Sequence, residues 1–159
     1  MQESLRRILG QDRRAFWEQV IQSAERVREI RLRIGKPVVV RRVDGDWYLD
    51  REGHFTTDID RAYCMEQREL EEFFMHICQG SPYAFEDMLR QGFLTVPGGH
   101  RIGFAGQVVQ EENGHIRTMK YLHYVNIRIA HQVFGAAESI LPQLYQEREL
   151  LNTLIVSPP

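Results

Sequence analysis

Arg28-Glu29-Ile30-Arg31-Leu32-Arg33-Ile34 sets an apolar side chain at every second position with charges between them. A period of two marks a strand with one buried face and one open face, so Ile30, Leu32 and Ile34 turn inward while Glu29, Arg31 and Arg33 turn outward. Gly35-Lys36-Pro37 then turns the chain, Val38 to Val43 supplies a second strand, and Asp44-Gly45 offers hairpin chemistry before Trp47-Tyr48-Leu49. Upstream, Phe16 and Val20, then Trp17 and Ile21, recur at four-residue spacing and predict a helix over about residues 13–22. Leu5, Ile8 and Leu9 predict another, stopped by Gly10.

Leu70, Phe73, Phe74 and Ile77 follow the i, i+3, i+4, i+7 rule, with Arg68, Glu69, Glu71 and Glu72 opposite, so residues 66–78 read as an amphipathic helix with a solvated charged face. Ser81-Pro82 can cap a shorter helix running to about Arg90. Phe93 to Val96 reads as a strand, Pro97-Gly98-Gly99 as a tight turn, and His100 to Val109 as a longer strand with Ile102, Phe104 and Val108 on its apolar face. Asn113-Gly114 signals a hairpin, and Ile116 to Tyr121 with Val125, Ile127 and Ile129 continue the meander. Ile140, Leu141, Leu144 and Tyr145 suggest a helix that Pro142 breaks or restarts. Leu151 to Val156 reads as an apolar strand. The sum is an α+β fold of antiparallel sheets with flanking helices and a subdomain seam near 50–62.

Length and composition narrow the class. The 159 residues are 43% hydrophobic and 26% charged, as in folded globular domains and unlike disordered chains. No apolar run approaches the ~20 residues that span a bilayer, and no signal-peptide core follows Met1, so neither membrane insertion nor export is expected. Two cysteines, Cys64 and Cys78, make no disulfide framework and are expected in the core. With His76 and Cys78 two positions apart on a helix, no metal site is expected. The net charge of -2 hides an asymmetry: residues 1–42 hold 11 Arg or Lys against 5 Asp or Glu. The remainder is correspondingly acidic.

Two segments are candidates for anion chemistry. Gly92 to Gly106 holds five glycines among apolar strand positions; it is either a loop that presents amides and Arg101 to an anion or a hairpin whose glycines make room for packing. Arg26, Arg28, Arg31, Arg33, Lys36, Arg41 and Arg42, with Arg31, Arg33, Arg41 and Arg42 foremost, form either a solvent face beside acidic neighbours or a basic strip for nucleic acid or an acidic surface. Few aromatics interleave with them, which weakens single-strand stacking.

Glu29-Ile30-Arg31-Leu32-Arg33-Ile34-Gly35-Lys36-Pro37, the Thr95-Val96-Pro97-Gly98-Gly99-His100-Arg101-Ile102-Gly103 core, Asn126-Ile127-Arg128-Ile129-Ala130 and Leu154-Ile155-Val156-Ser157-Pro158-Pro159 together resemble, in order and spacing, the stage III sporulation protein AA family. That family is similar to the hexameric ATPases of type II and type IV secretion and pilus systems. The resemblance runs from about residue 28 and is most specific at Gly98, Gly99, His100 and Gly103. It implies the N-terminal regulatory and oligomerisation domain, over 1–147, of a longer cytoplasmic mother-cell ATPase, with 148–159 as the truncated start of the ATPase core, whose first strand leads through Ser157, Pro158 and Pro159 into a phosphate-binding loop. Ser157 stands where the general loop motif has glycine. ATP and Mg are implied for the longer protein and neither for this stretch, which lacks the loop lysine and is expected to be inactive. Implied partners are further copies in a hexamer and membrane-embedded sporulation channel proteins; nucleic acid belongs to the alternative reading through the basic strip. By matching motif, Arg101 and Arg128 are the residues expected near nucleotide phosphates, against the plainer expectation that they pair with acids inside the domain.

Overall fold

The computed structural model describes residues 1–10, 12–81, 85, 90–111, 116–147, 149–154 and 156. In chain order the elements are α1 (Gln2–Leu9), α2 (Arg14–Gln22), β1 (Val27–Arg33), β2 (Val39–Arg42), β3 (Gly45–Leu49), β4 (Phe55–Thr56), a 3-10 turn (Ile59–Arg61), α3 (Gln67–Ile77), β5 (Phe93–Val96), β6 (His100–Gln110), β7 (Ile116–Arg128), α4 (Leu141–Leu144), β8 (Tyr145–Gln146) and β9 (Glu149–Leu150). The helix expected from Ser81-Pro82 and the Asn113-Gly114 hairpin turn fall largely or wholly outside the described residues, as do Ser157, Pro158 and Pro159.

The two expected strand groups join into one seven-stranded antiparallel sheet in the order β4-β3-β2-β1-β7-β6-β5. β1 lies at its centre because both of its edges find partners: Ile30 stands opposite Val40 of β2 and Ile127 of β7. The alternation read from Arg28 to Ile34 sends Ile30 and Leu32 fully inward. There they meet Val40, Leu49, Leu94, Ile102, Val125 and Ile127 in one cluster with Leu5, Trp17, Val20, Ile21 and Leu70 of the helices. All three long helices therefore cover the same face of the sheet. Each fully buried Leu or Ile stabilises the domain by about 1.5–3 kcal/mol relative to exposure. The stretch 50–62, the expected seam, carries β4, which hydrogen-bonds to β3 within that sheet.

Three details depart from the sequence reading. No strand forms over residues 151–154 or at Val156, and Leu154 and Val156 are 86% and 85% exposed. A strand is stabilised by the ladder beside it, and no described strand lies alongside. Tyr145 opens β8 instead of closing a helix; Pro142 sits in the first turn of the short α4. Val108 is exposed, not on the apolar face, because register shifts between Ala105 and Gln107 break the alternation of β6.

Candidate functional site: an arginine-lined sheet face

The face of the sheet turned away from the helices is built by register alone. Directly paired residues share a face, so one row crosses six strands as Thr95, Arg101, Arg128, Glu29, Arg41 and Asp46. The neighbouring row reads Phe93, Gly103, Asn126, Arg31, Val39 and Tyr48. Arg33, opposite Tyr124, begins a third. Arg101 and Arg128, 27 positions apart in the chain, thereby stand directly opposite one another, and Arg31, Arg33 and Arg41 join them on one surface. Arg42 does not join them. It points to the opposite side, with its guanidinium 5.3 Å from the Trp47 ring and 4.7 Å from the Phe55 ring and Asp44 3.3 Å away.

The carboxylates divide this face unevenly. Arg41 grips Asp46 with two hydrogen bonds, at 2.7 and 2.9 Å, and this contact holds the Asp46 carboxyl below its ordinary range. Arg31 is paired with Glu29. Among the described residues Arg128 and Arg33 make no ion pair, and Arg101 instead lies over the Phe93 ring, 3.5 Å from its centroid. A cavity of about 140 Å³ opens between Arg101, Gly103, Asn126 and Arg128. Into this neighbourhood falls Asn126 Oδ1, buried without a hydrogen-bond partner, at a cost of about 1–3 kcal/mol.

The motif Gly98-Gly99-His100-Arg101 has two faces because it enters a strand. Gly98 takes φ 96°, and an added Cβ would lie 2.8 Å from His100 Nε2 and 3.1 Å from Ser4 Oγ, so the turn tolerates no side chain there. His100 then turns inward, 1% exposed, and its Nδ1 accepts from the Ala130 N–H at 3.1 Å. Burial lowers the His100 pKa, so the neutral ring that can accept this bond is favoured. Arg101 turns outward. His100 thus ties the start of β6 to Ala130, two residues beyond the end of β7, beside the Arg101–Arg128 pair of the ladder.

Other chemistry-bearing side chains serve packing. Cys78 is buried, with its thiol pushed up to about 11 by burial, whereas Cys64, expected in the core, is exposed while Met65 beside it takes the inward place. Glu69, expected on a solvated face, pairs with Arg13 and accepts from the Tyr63 hydroxyl. His76 Nε2 donates to Arg7 O at 2.7 Å. Ligand atoms of Asp50, Glu52 and His54 lie within 4.8 Å of one another, a grouping the sequence reading missed. One oxygen of Asp50 is already occupied by the Glu52 and His54 backbone N–H groups at 3.0 and 2.9 Å. Such spacing within one loop could have been noticed, although it is equally what a side-chain-closed turn requires.

A sequence model of the family described as sporulation stage III, protein AA matches residues 1–159. Stage III sporulation protein AA of Bacillus subtilis (strain 168) is 36% identical over 133 residues, 84% of this chain and 39% of that protein. The chain accordingly spans well under two thirds of that relative's length. No solved structure matches. No helix among the described residues is long and apolar enough to cross a membrane.

Proposed function

The chain belongs to the sporulation stage III, protein AA family, and from that membership we propose that it is the N-terminal regulatory and oligomerisation domain of a sporulation ATPase resembling those of secretion systems. In this reading the longer protein binds ATP and Mg, assembles as a hexamer in the mother-cell cytoplasm and acts on membrane-embedded sporulation channel proteins. This stretch contributes coupling, not hydrolysis. The single observation that supports it is the opposition of Arg101 and Arg128 on an open sheet face with no carboxylate between them. Two guanidinium groups so placed suit the charge that builds on a transferring phosphoryl group, supplied by a neighbouring part of the assembly.

The test uses the longer protein. Arg101→Ala and Arg128→Ala should each lower ATP turnover about tenfold or more without altering the fold, and wild-type turnover in both sinks the proposal. Nucleic-acid binding through the basic strip is disfavoured because Arg31, Arg41 and Arg42 are each engaged by a carboxylate within the domain. A gel shift that weakens steeply with salt would revive it.

A further inference from the structure

The geometry points to a proton-operated clasp at the exit of β7: with its ring neutral, His100 seats Ala130 against the sheet, and with its ring protonated it releases Ala130 and the chain that follows. The clasp goes beyond the motor reading and does not depend on it, since its ligand is the proton and its parts all belong to this chain.

Three hydrogen bonds seat residues 129–131. Ile129 N–H donates to Arg28 O at 2.9 Å, Ala130 N–H donates to His100 Nδ1 at 3.1 Å, and His131 Nε2 donates to Val27 O at 2.6 Å. The stretch thereby joins the start of β1 to the start of β6. Beyond it such ties stop. Among the described residues, the backbone hydrogen bonds made by 132–151 return to that same stretch, as from Ala136 to Val133, Ile140 to Ala137 and Leu151 to Leu144. Residues 132–143 are all exposed, Phe134 at 86%. The clasp is therefore the last point at which the sheet grips the chain by hydrogen bonds.

The three fasteners answer acid differently. The Ile129 bond joins two backbone groups, which do not titrate, and its side chain is anchored in the core cluster. His131 donates from Nε2, and a donating ring nitrogen keeps its proton in both charge states. His100 accepts. Its Nδ1 can take the Ala130 proton only while carrying none, so protonation sets a second donor 3.1 Å from the amide nitrogen. Ala130 must then swing away, and His131, the next residue, is drawn from Val27 O with it.

The surroundings give the imidazolium no support. His100 is buried, α1 brings the Met1 amine toward it, the clasp brings His131, and both of these are cationic when protonated. Val96, opposite on β5, and the Pro97-Gly98-Gly99 turn carry no titratable group, while Arg101 and Arg128 stand on the other face of the sheet. Among the described residues no carboxylate acts on the ring. Burial first, then the two neighbouring charges, holds its pKa below the ordinary value, so the clasp is shut at neutral pH and opens as pH falls.

The experiment follows the ¹⁵N-labelled 159-residue chain by NMR between about pH 7.5 and about pH 5. The His100 ring nitrogens should report the neutral Nε2–H tautomer at the upper end. Exchange of the Ala130 N–H, corrected for its intrinsic rate, should rise about tenfold as His100 titrates, while Ile127 and Ile129 stay protected. His100→Asn offers an amide oxygen in place of Nδ1 and cannot be protonated, so Ala130 should stay protected throughout. His131→Gln keeps a donor for Val27 O without titrating and should retain the opening. Should the asparagine variant fail to fold, the wild-type chain decides, because the midpoint of Ala130 exchange must coincide with that of the His100 titration. Ala130 exchange that is unchanged across this range overturns the clasp. So does opening that persists in His100→Asn, disappears in His131→Gln, or arrives together with loss of protection at Ile30. ATP turnover in the longer Arg101→Ala and Arg128→Ala proteins bears on the motor reading alone.

Discussion

His100 illustrates how one inward side chain ties β6 to the chain beyond β7. Its ring must stay neutral to accept from Ala130 N–H, and burial has moved its pKa below the ordinary 6.5. A group whose folded pKa is depressed contributes stability above its unfolded value, and that contribution is lost as pH falls through the folded value. The urea midpoint should therefore decline as pH drops from about 6.5 toward 5, and a His100→Gln variant, which cannot be protonated, should flatten this limb. An unchanged slope in the variant would assign the limb to other groups. Glu69 is a second such case. It closes the capping box of α3 by accepting from Glu66 N at 2.9 Å and also holds Arg13 and Tyr63, joining the start of α2 to α3. Removing it leaves Arg13 and Tyr63 without that acceptor, so Glu69→Ala should cost about 2 kcal/mol in chemical denaturation. A loss no larger than that of Glu71→Ala on the solvated side of the same helix would show the network to be incidental.

Elements depend on what stands beside them. The turn after β3 brings Gly53 against α2 at φ 86°, where a Cβ would lie only 2.0 Å from Phe16 O. Gly53→Ala therefore collides with backbone and forces a left-handed conformation on alanine, and it should destabilise the domain by more than about 1 kcal/mol. Gly35→Ala, with a similar φ of 65° but nothing within 4 Å, isolates the conformational part of that cost. Thermal melts of the two should differ, and equal losses would mean that the close approach to Phe16 is relieved by movement of the turn. Residues 151–156 teach the converse. Their composition suits a strand, yet beyond the Leu151 N–H bond to Leu144 O at 2.8 Å the described residues join no ladder, since β-propensity describes a fit to a pleated neighbour more than an intrinsic backbone preference.

Across the molecule, order should follow the sheet. β1, β6 and β7 share the central ladders and the cluster, whereas residues 132–141 are exposed throughout. Amide exchange should be slowest at Ile30, Leu32, Ile102 and Ile127 and faster by orders of magnitude over residues 132–139; protection of the latter equal to that of β1 would contradict this arrangement. The amino-acid order alone was sufficient for the α+β class, for α1 to α3 and for the inward and outward sides of β1, because periodicity and short turn motifs are local properties of a chain, whereas Arg101 and Arg128 came forward as a pair through the family resemblance. The pairing of β1 with β7, the opposition of Arg101 to Arg128, the orphan amide of Asn126 and the separation of Arg42 from Arg41 emerged only on folding. These depend on which strands lie side by side and in what register, and such long-range pairings leave no trace in the spacing of neighbouring residues.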